Sequence, residues 1–350
     1  MDFSFREPTL EVKRVQYRVV QGKDTVDTLE TYLRDRNMQG LLREYIRRGY
    51  LTGEMPMEME SELGDAPEEE LMAWAEKAAK EVEYEQFVRV TRWLFEKNTS
   101  LALKFDVYTA EIRMLILLER NSEISLLIKK IEGLIELGID WGRRNKFKVY
   151  KGLVHLLSRE YREASRQFSE SLSTFEGEEL LTYLELVRYT IFCGMISLSR
   201  LEIEKNLIDS SEICEVIKEL PGAREMVHAF YECSYANLFS WLAVFSKSLY
   251  EDMHLQDRVD YFVYLVKVQA YAQLFMSYKA ISLEQMSLIF GVSTEYIHRD
   301  IESMILRGDL LCKINHQKMM VYNTPAQPKD TVAIQAEEIS HTIQKMISSE

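Results

Sequence analysis

The residues best able to hold a metal are six histidines, His155, His228, His254, His298, His316 and His341, and four cysteines, Cys193, Cys214, Cys233 and Cys312. A structural zinc site gathers several such ligands from close-spaced pairs, and a zinc hydrolase helix needs HExxH. Neither spacing occurs in this chain, nor does a CxxC pair. The scattered cysteines fit free thiols in a reducing compartment. A phosphate cradle would need GxxxxGK[ST] or GxGxxG, and a nucleophile elbow GxSxG; all three are missing. His298, between Ile297 and Arg299, reads as a surface histidine. The many Glu and Asp pairs read as solvated helix faces. No catalytic, cofactor-binding or metal-binding residue is assigned, and the chain reads as a non-enzyme that needs no cofactor.

The elements that could position a binding surface are clearer. Ser277–Thr324 reads as a winged helix: two short helices, then a β-hairpin. Ser282 caps the first helix and Gln285 completes a capping-box spacing. Leu283, Met286, Ile289 and Phe290 form its apolar face, and Gly291 ends it. Ile297, Ile301, Met304 and Ile305 form the next stripe, with Gly308 as its stop. Leu310, Cys312 and Ile314 alternate as a strand, Asn315–Lys318 turn, and Met319–Asn323 return.

A winged helix raises the question of DNA. A recognition helix normally offers Arg, Lys, Asn or Gln to bases and phosphates. Here Thr294–Glu302 carries Glu295, Asp300 and Glu302 against the single Arg299, so no nucleic-acid partner is expected. The whole chain points the same way: 56 acidic against 43 basic residues give a net charge of −13, which opposes attraction to nucleic acid or an anionic membrane. No run approaches the roughly 20 apolar residues that span a bilayer, and Met1-Asp2-Phe3 does not begin a secretory signal. The expectation is a soluble intracellular protein.

Ahead of the winged helix, 350 residues leave room for at least one further domain. Phe3, Phe5 and Leu10 flank Pro8 and suit an extended docked segment. Val26, Leu29 and Leu33 predict a short helix, and Leu42, Tyr45 and Ile46 another, closed by Gly49. Glu54–Glu70 holds eight acidic residues and no Lys or Arg, a solvated linker or an acidic docking tail. Asp65 and Glu68 form a capping pair before a stripe of Leu71, Ala75, Ala78 and Val82. No proline lies between Pro67 and Pro221, which suits stacked helices. Breaks are expected at Asn98–Ser100, Asn121–Ser122, Gly138 and Ser158–Glu160. Gly152, Tyr161, Ala164, Phe168 and Ser171 match a tetratricopeptide hairpin, in which small residues let two helices approach and an aromatic fills the gap. Helices are predicted over Glu178–Ser199, Glu202–Leu220 and Ala223–Tyr250, with another striped by Val259, Phe262, Val263, Val266 and Ala270. After Pro325 and Pro328, the spacing of Val332, Ala336, Ile339, Ile343 and Met346 makes a short heptad seam. That helix can pack on its own domain or on a partner.

The predicted fold is mainly α: a right-handed, TPR-like helical-repeat solenoid, then a winged-helix module and a C-terminal helix. The expected division is 1–65, an N-terminal segment with the acidic linker; 66–255, the solenoid; 256–325, the winged helix; and 326–350, the tail. The surfaces expected to meet a partner are Leu311, Lys313, Met319 and Val321 on the wing, and Val332, Ala336, Ile339, Ile343 and Met346 on the tail.

A helical stack entering a winged helix and a tail helix resembles the PCI family of scaffold subunits. Gly138-Ile139-Asp140-Trp141, Arg144-Asn145, Lys148-Val149-Tyr150 and Gly152 look like the signature of a family of proteasome-lid subunits. Ser173-Thr174-Phe175, Leu220-Pro221, Tyr231-Glu232-Cys233, Tyr235, Tyr278-Lys279, Phe290-Gly291-Val292, Gly308 and Cys312-Lys313-Ile314 continue it, so that the likeness runs over roughly 138–325. The resemblance implies a non-catalytic scaffold in a hetero-oligomer. Its partners would be other lid PCI subunits, joined through winged helices and a bundle of tail helices, and the lid deubiquitinase module. Contact with the ATPase ring is left open. The implied compartments are cytoplasm and nucleus. Two alternatives share part of the pattern: a scaffold like subunit 1 of the COP9 signalosome, and a winged-helix transcription regulator, which the acidic recognition helix disfavours. Residues 1–130 carry little of the likeness.

Overall fold

A computed structural model describes residues 5–51, 66–97 and 100–323. Phe3, most of the acidic stretch, the Asn98–Thr99 break and the whole tail seam fall outside them. The chain divides into two compact units, Met1–Glu219 with Tyr250–Gln256, and Leu220–Leu249 with Asp257–Glu350.

The first unit opens with α1 (Glu11–Val20), α2 (Val26–Asp35) and α3 (Gln39–Arg47). The sequence reading supplied α2 and α3 but not α1. Leu10 at its N-cap offers no side-chain bond, and its four valines are stiff at χ1 in a helix. Tertiary burial of Val12, Val15 and Tyr17 holds it instead. Next come α4 (Glu68–Glu81), α5 (Tyr84–Lys97), α6 (Leu101–Leu117) and α7 (Asn121–Glu136). Pro67, not Asp65, stands at the N-cap of α4, so Glu68 opens the helix rather than completing a capping box. Gly40 lets α3 meet the end of α4, because a Cβ there would sit 2.3 Å from the Val82 carbonyl oxygen.

The tetratricopeptide-like hairpin is α8 (Trp141–Leu157) with α9 (Tyr161–Ser171). Gly152, Ala164, Phe168 and Ser171 are all buried. A Cβ on Gly152 would lie 2.5 Å from a ring carbon of Phe168, which is the close approach that the spacing implied. Then follow α10 (Tyr183–Ser197), α11 (Arg200–Ile203) and α12 (Ser211–Val216).

Two of the predicted helices are shorter than the sequence reading had them. α10 starts at Tyr183, not Glu178, because Thr182 and Glu185 close a full capping box. The span Glu202–Leu220 is not one helix. Ser199 caps α11, which runs into a π-helical turn at Glu204–Ile208, and Ser210 then caps α12.

In the second unit, α13 (Ala223–Tyr231) and α14 (Tyr235–Leu249) replace the single predicted helix. Cys233 sits between them at φ 59°. The Cys233 N–H donates to the Phe230 carbonyl and the Ser234 N–H to the Ala229 carbonyl, the paired bonds that end a helix in the left-handed region. The same device, on residues that are not glycine, ends α2 at Asn37, α4 at Val82, α6 at Glu119 and α8 at Arg159. α15 (Val259–Ser277) leads to β1 (Ala280–Ser282), α16 (Leu283–Phe290), α17 (Thr294–Arg307), β2 (Cys312–Asn315) and β3 (Met320–Asn323). The strands form one sheet in the order β1-β3-β2, antiparallel throughout.

Charged side chains are also built into the first unit's interior. Arg113 on α6 is fully buried. Its Nε donates to the Pro8 carbonyl at 2.9 Å, and Nη2 donates to the carbonyls of Phe5 and Glu7. Its Nη1 donates to the Tyr150 hydroxyl, which in turn donates to Glu179 at 2.9 Å. Lys146 pairs with the same carboxylate at 2.7 Å. Burial alone would raise the Glu179 carboxyl, but Lys146 and Arg113 outweigh it and hold it below the usual range. The extended segment around Pro8 is thus fixed by hydrogen bonds as well as by the burial of Phe5 and Leu10.

Candidate protein interface

The inward face of the winged-helix sheet is set by register. Val321 pairs with Ile281 on one side and with Ile314 on the other. Ile281, Cys312 and Val321 are buried with Leu283, Met286, Phe290, Ile297, Ile301 and Met304. Val321 is 0% exposed. It therefore belongs to the core and cannot face a neighbour, which corrects its assignment to a partner surface. The error came from treating the wing as a hairpin alone. The sequence reading missed β1, so β3 looked like an edge strand when it is the central one.

The helices are locked behind this sheet. Phe290 lies against the rings of Tyr235, Phe239 and Tyr271, with centroids 4.8, 5.0 and 4.7 Å away. Lys267 on α15 reaches Asp300 on α17 at 2.7 Å, and the Tyr271 hydroxyl donates to the same carboxylate at 3.0 Å. Asp300 is therefore engaged internally. The exposed charges on the first two turns of α17 are Glu295, Arg299 and Glu302, and that balance does not attract phosphates. His298 Nε2 lies 3.2 Å from His316 Nδ1 and ties α17 to the wing turn. Asn315 closes that turn by accepting from the Gln317 and Lys318 N–H groups.

The outward face is different. Lys313 stands opposite Tyr322 on the exposed side. Leu311 is 63% exposed and Met319 43%. The outer edge of β2 is unpaired among the described residues, as a sheet edge is when nothing covers it. Leu311 and Lys313 thus lie on the outward side of β2, and Met319 is exposed in the wing turn. The sequence reading missed three larger exposures in this unit: Met276, Leu288 and Leu306, each more than four-fifths exposed. A signal existed for Leu288, which falls out of phase with the buried stripe of Leu283, Met286 and Phe290. Val332, Ala336, Ile339, Ile343 and Met346 lie outside the described residues.

Among the described residues no three metal-ligating side chains converge, and no helix is long and apolar enough to cross a membrane. Cys312 is shielded in the sheet, and burial pushes its thiol up to about 11.

Paired helices followed by a three-stranded winged helix define a PCI-domain protein, and the PCI domain family matches residues 240–324. A second family, 26S proteasome subunit RPN7, matches residues 59–206. The 26S proteasome non-ATPase regulatory subunit 6 of Dictyostelium discoideum is 31% identical over 74% of this chain and 69% of its own length. The 26S proteasome regulatory subunit rpn7 of Schizosaccharomyces pombe is 32% identical over 70% of this chain, a match that takes in 63% of the relative. The COP9 signalosome complex subunit 1 of Arabidopsis thaliana is less similar, 24% identical over 53% of this chain and 42% of its own. The chain belongs to the family of 26S proteasome non-ATPase regulatory subunit 6, also called Rpn7.

Proposed function

We propose that this chain is a non-catalytic scaffold subunit of the lid of the 26S proteasome regulatory particle and serves ubiquitin-dependent protein degradation. The observation that carries this reading is the match to proteasome subunits across both units, the paired helices and the winged helix. The partners are other PCI subunits and the lid deubiquitinase module. The compartments in this reading are cytoplasm and nucleus. Leu311, Lys313 and Met319 face a neighbouring subunit in this reading, supported by their exposure and, for Leu311 and Lys313, by the uncovered edge of β2. The tail seam of Val332, Ala336, Ile339, Ile343 and Met346 supplies a second contact, supported by its heptad spacing. The four-part division from the sequence goes with it, the docking segment, solenoid, winged helix and tail each having a separate role.

Affinity purification of the tagged full chain, with mass spectrometry of what accompanies it, tests this. Recovery of lid subunits in stoichiometric amounts is expected. Recovery of COP9 signalosome subunits in their place would move the chain to that assembly, and recovery of neither would remove the scaffold reading. Ubiquitin-chain cleavage by the isolated chain would refute the non-catalytic part.

A further inference from the structure

A polar cleft of about 460 Å³ lies in the first unit, between α3, the first turn of α5 and the end of α6. Five arginines and three glutamates line it, and Glu119 and Glu123, which pair with two of those arginines, bring the local charges into balance. Most of these groups are committed. Arg47 and Arg48 share Glu44, at 3.1 and 2.8 Å, and Arg48 also reaches Glu119 at 2.7 Å. Arg120 reaches Glu123 at 2.7 Å and lies 4.7 Å over the Tyr84 ring. Arg43 is paired with Glu83.

Two donors are left over. Arg43 is 8% exposed, lines the cleft, and has no hydrogen-bond partner at Nη1 among the described residues. A buried donor in that state costs free energy unless something accepts from it. Arg89, also lining the cleft, is exposed and makes no ion pair or hydrogen bond with any described residue. The first turn of α5, Tyr84–Gln86, lines the same space, and backbone N–H groups at a helix N-terminus favour an anion.

We propose that this cleft binds a phosphorylated side chain presented by a partner polypeptide. A phosphoserine or phosphothreonine carries roughly −1.5 to −2 charges at neutral pH and would meet the two guanidiniums left over, Arg43 Nη1 and Arg89. Its oxygens suit guanidinium forks, which bind phosphate bidentately. An apolar ligand does not fit, since such sites are lined mostly by hydrophobic and aromatic side chains. A carboxylate brings one charge and two oxygens, so it gains less from the two free guanidiniums than a phosphate does. This site belongs to the first unit, and its test does not depend on the lid assignment.

The test is calorimetric titration of the full chain at low salt with three probes: a short Gly-Ala-phosphoserine-Ala-Gly peptide, its unphosphorylated twin, and inorganic phosphate. The phosphopeptide should bind about tenfold or more tightly than either comparator, and its affinity should fall as salt rises. The Arg89→Ala variant should lose most of that binding. Arg89 holds nothing else in place, so an unchanged far-UV spectrum and melting temperature are expected, and Arg89→Gln, which keeps the length of the side chain without its charge, gives a second variant should Arg89→Ala disturb the fold. Equal binding of the twin, or full binding by both variants, would overturn the proposal. Inorganic phosphate binding as tightly as the phosphopeptide would overturn the polypeptide source.

Discussion

The two units use their side chains in opposite ways. The helical unit takes unusual residues inward: Arg113 is wholly buried, and Arg143 holds Asp106 through two bonds of 3.1 and 2.7 Å. Among its described residues the winged-helix unit buries no arginine so deeply; its Lys267–Asp300 pair stays partly exposed, and its sheet leaves Leu311 in solvent beside the unpaired edge of β2. An uncovered strand edge with an exposed apolar residue beside it is a place where another chain can dock. A buried ionic network marks a structure that has completed itself. The helical unit's sequence signature accordingly reads as internal architecture, and the winged-helix unit's as an unfinished surface.

The sharpest way to break this contrast is Arg113→Met. It leaves the carbonyls of Phe5, Glu7 and Pro8 and the Tyr150 hydroxyl without their shared donor. Loss of a buried charged partner costs about 3–5 kcal/mol, so thermal melting should show a large drop. A near-normal melting temperature would mean that the network is dispensable. On the other unit, Val321→Asp should cost about 3 kcal/mol or more, because it buries an unpaired charge. Leu311→Asp should change stability by no more than about 0.5 kcal/mol, as exposed substitutions do, while weakening lid capture in co-purification. If the two melt alike, the inward and outward faces are wrongly divided.

Gly152→Ala should cost about 1–3 kcal/mol through overpacking against Phe168, measured by urea unfolding. The smallest effect concerns acid. Because Glu179 is held below its ordinary range when folded, it adds stability above its unfolded value, about 4.3. That contribution disappears as pH falls through the lower, folded value. Glu179→Gln should flatten the acid limb of the stability curve; a limb of unchanged slope would show that the carboxylate is not held down.

Much of the architecture was legible because its causes are local. Gly152 with Phe168, Ser282 as a cap, and the stops at Gly291 and Gly308 each follow from one residue's chemistry. The breaks at Val82 and Cys233 were not legible, since neither is a residue that favours the left-handed region. They adopt it because packing on both sides outweighs about 1–2 kcal/mol of local strain. At the interface, Leu311 and Lys313 could be read from strand alternation, whereas Met319 is exposed because it sits in the wing turn at φ 49°. Val321 could not, because its burial depends on a three-residue strand formed by a segment forty positions earlier. The motif residues resembling the family proved structural at two positions: Asp140 caps α8 and pairs with Arg143, and Tyr150 links Arg113 to Glu179.

The clasp of Arg113 on the first residues also sets an order of events during synthesis. Phe5 and Leu10 leave the ribosome early, yet their anchors follow about a hundred residues later at Arg113 and some 170 later at Glu179, whose carbonyl receives the Leu10 N–H. At roughly 5–20 residues per second, the wait is on the order of ten to thirty seconds. During it, the beginning of the chain has no native place to bury its two apolar side chains. The segment that holds Phe5 and Leu10 is thus among the last parts of the helical unit to become native, and a bulky group placed against Phe5 would obstruct that closing step rather than the folding of the helices that it joins.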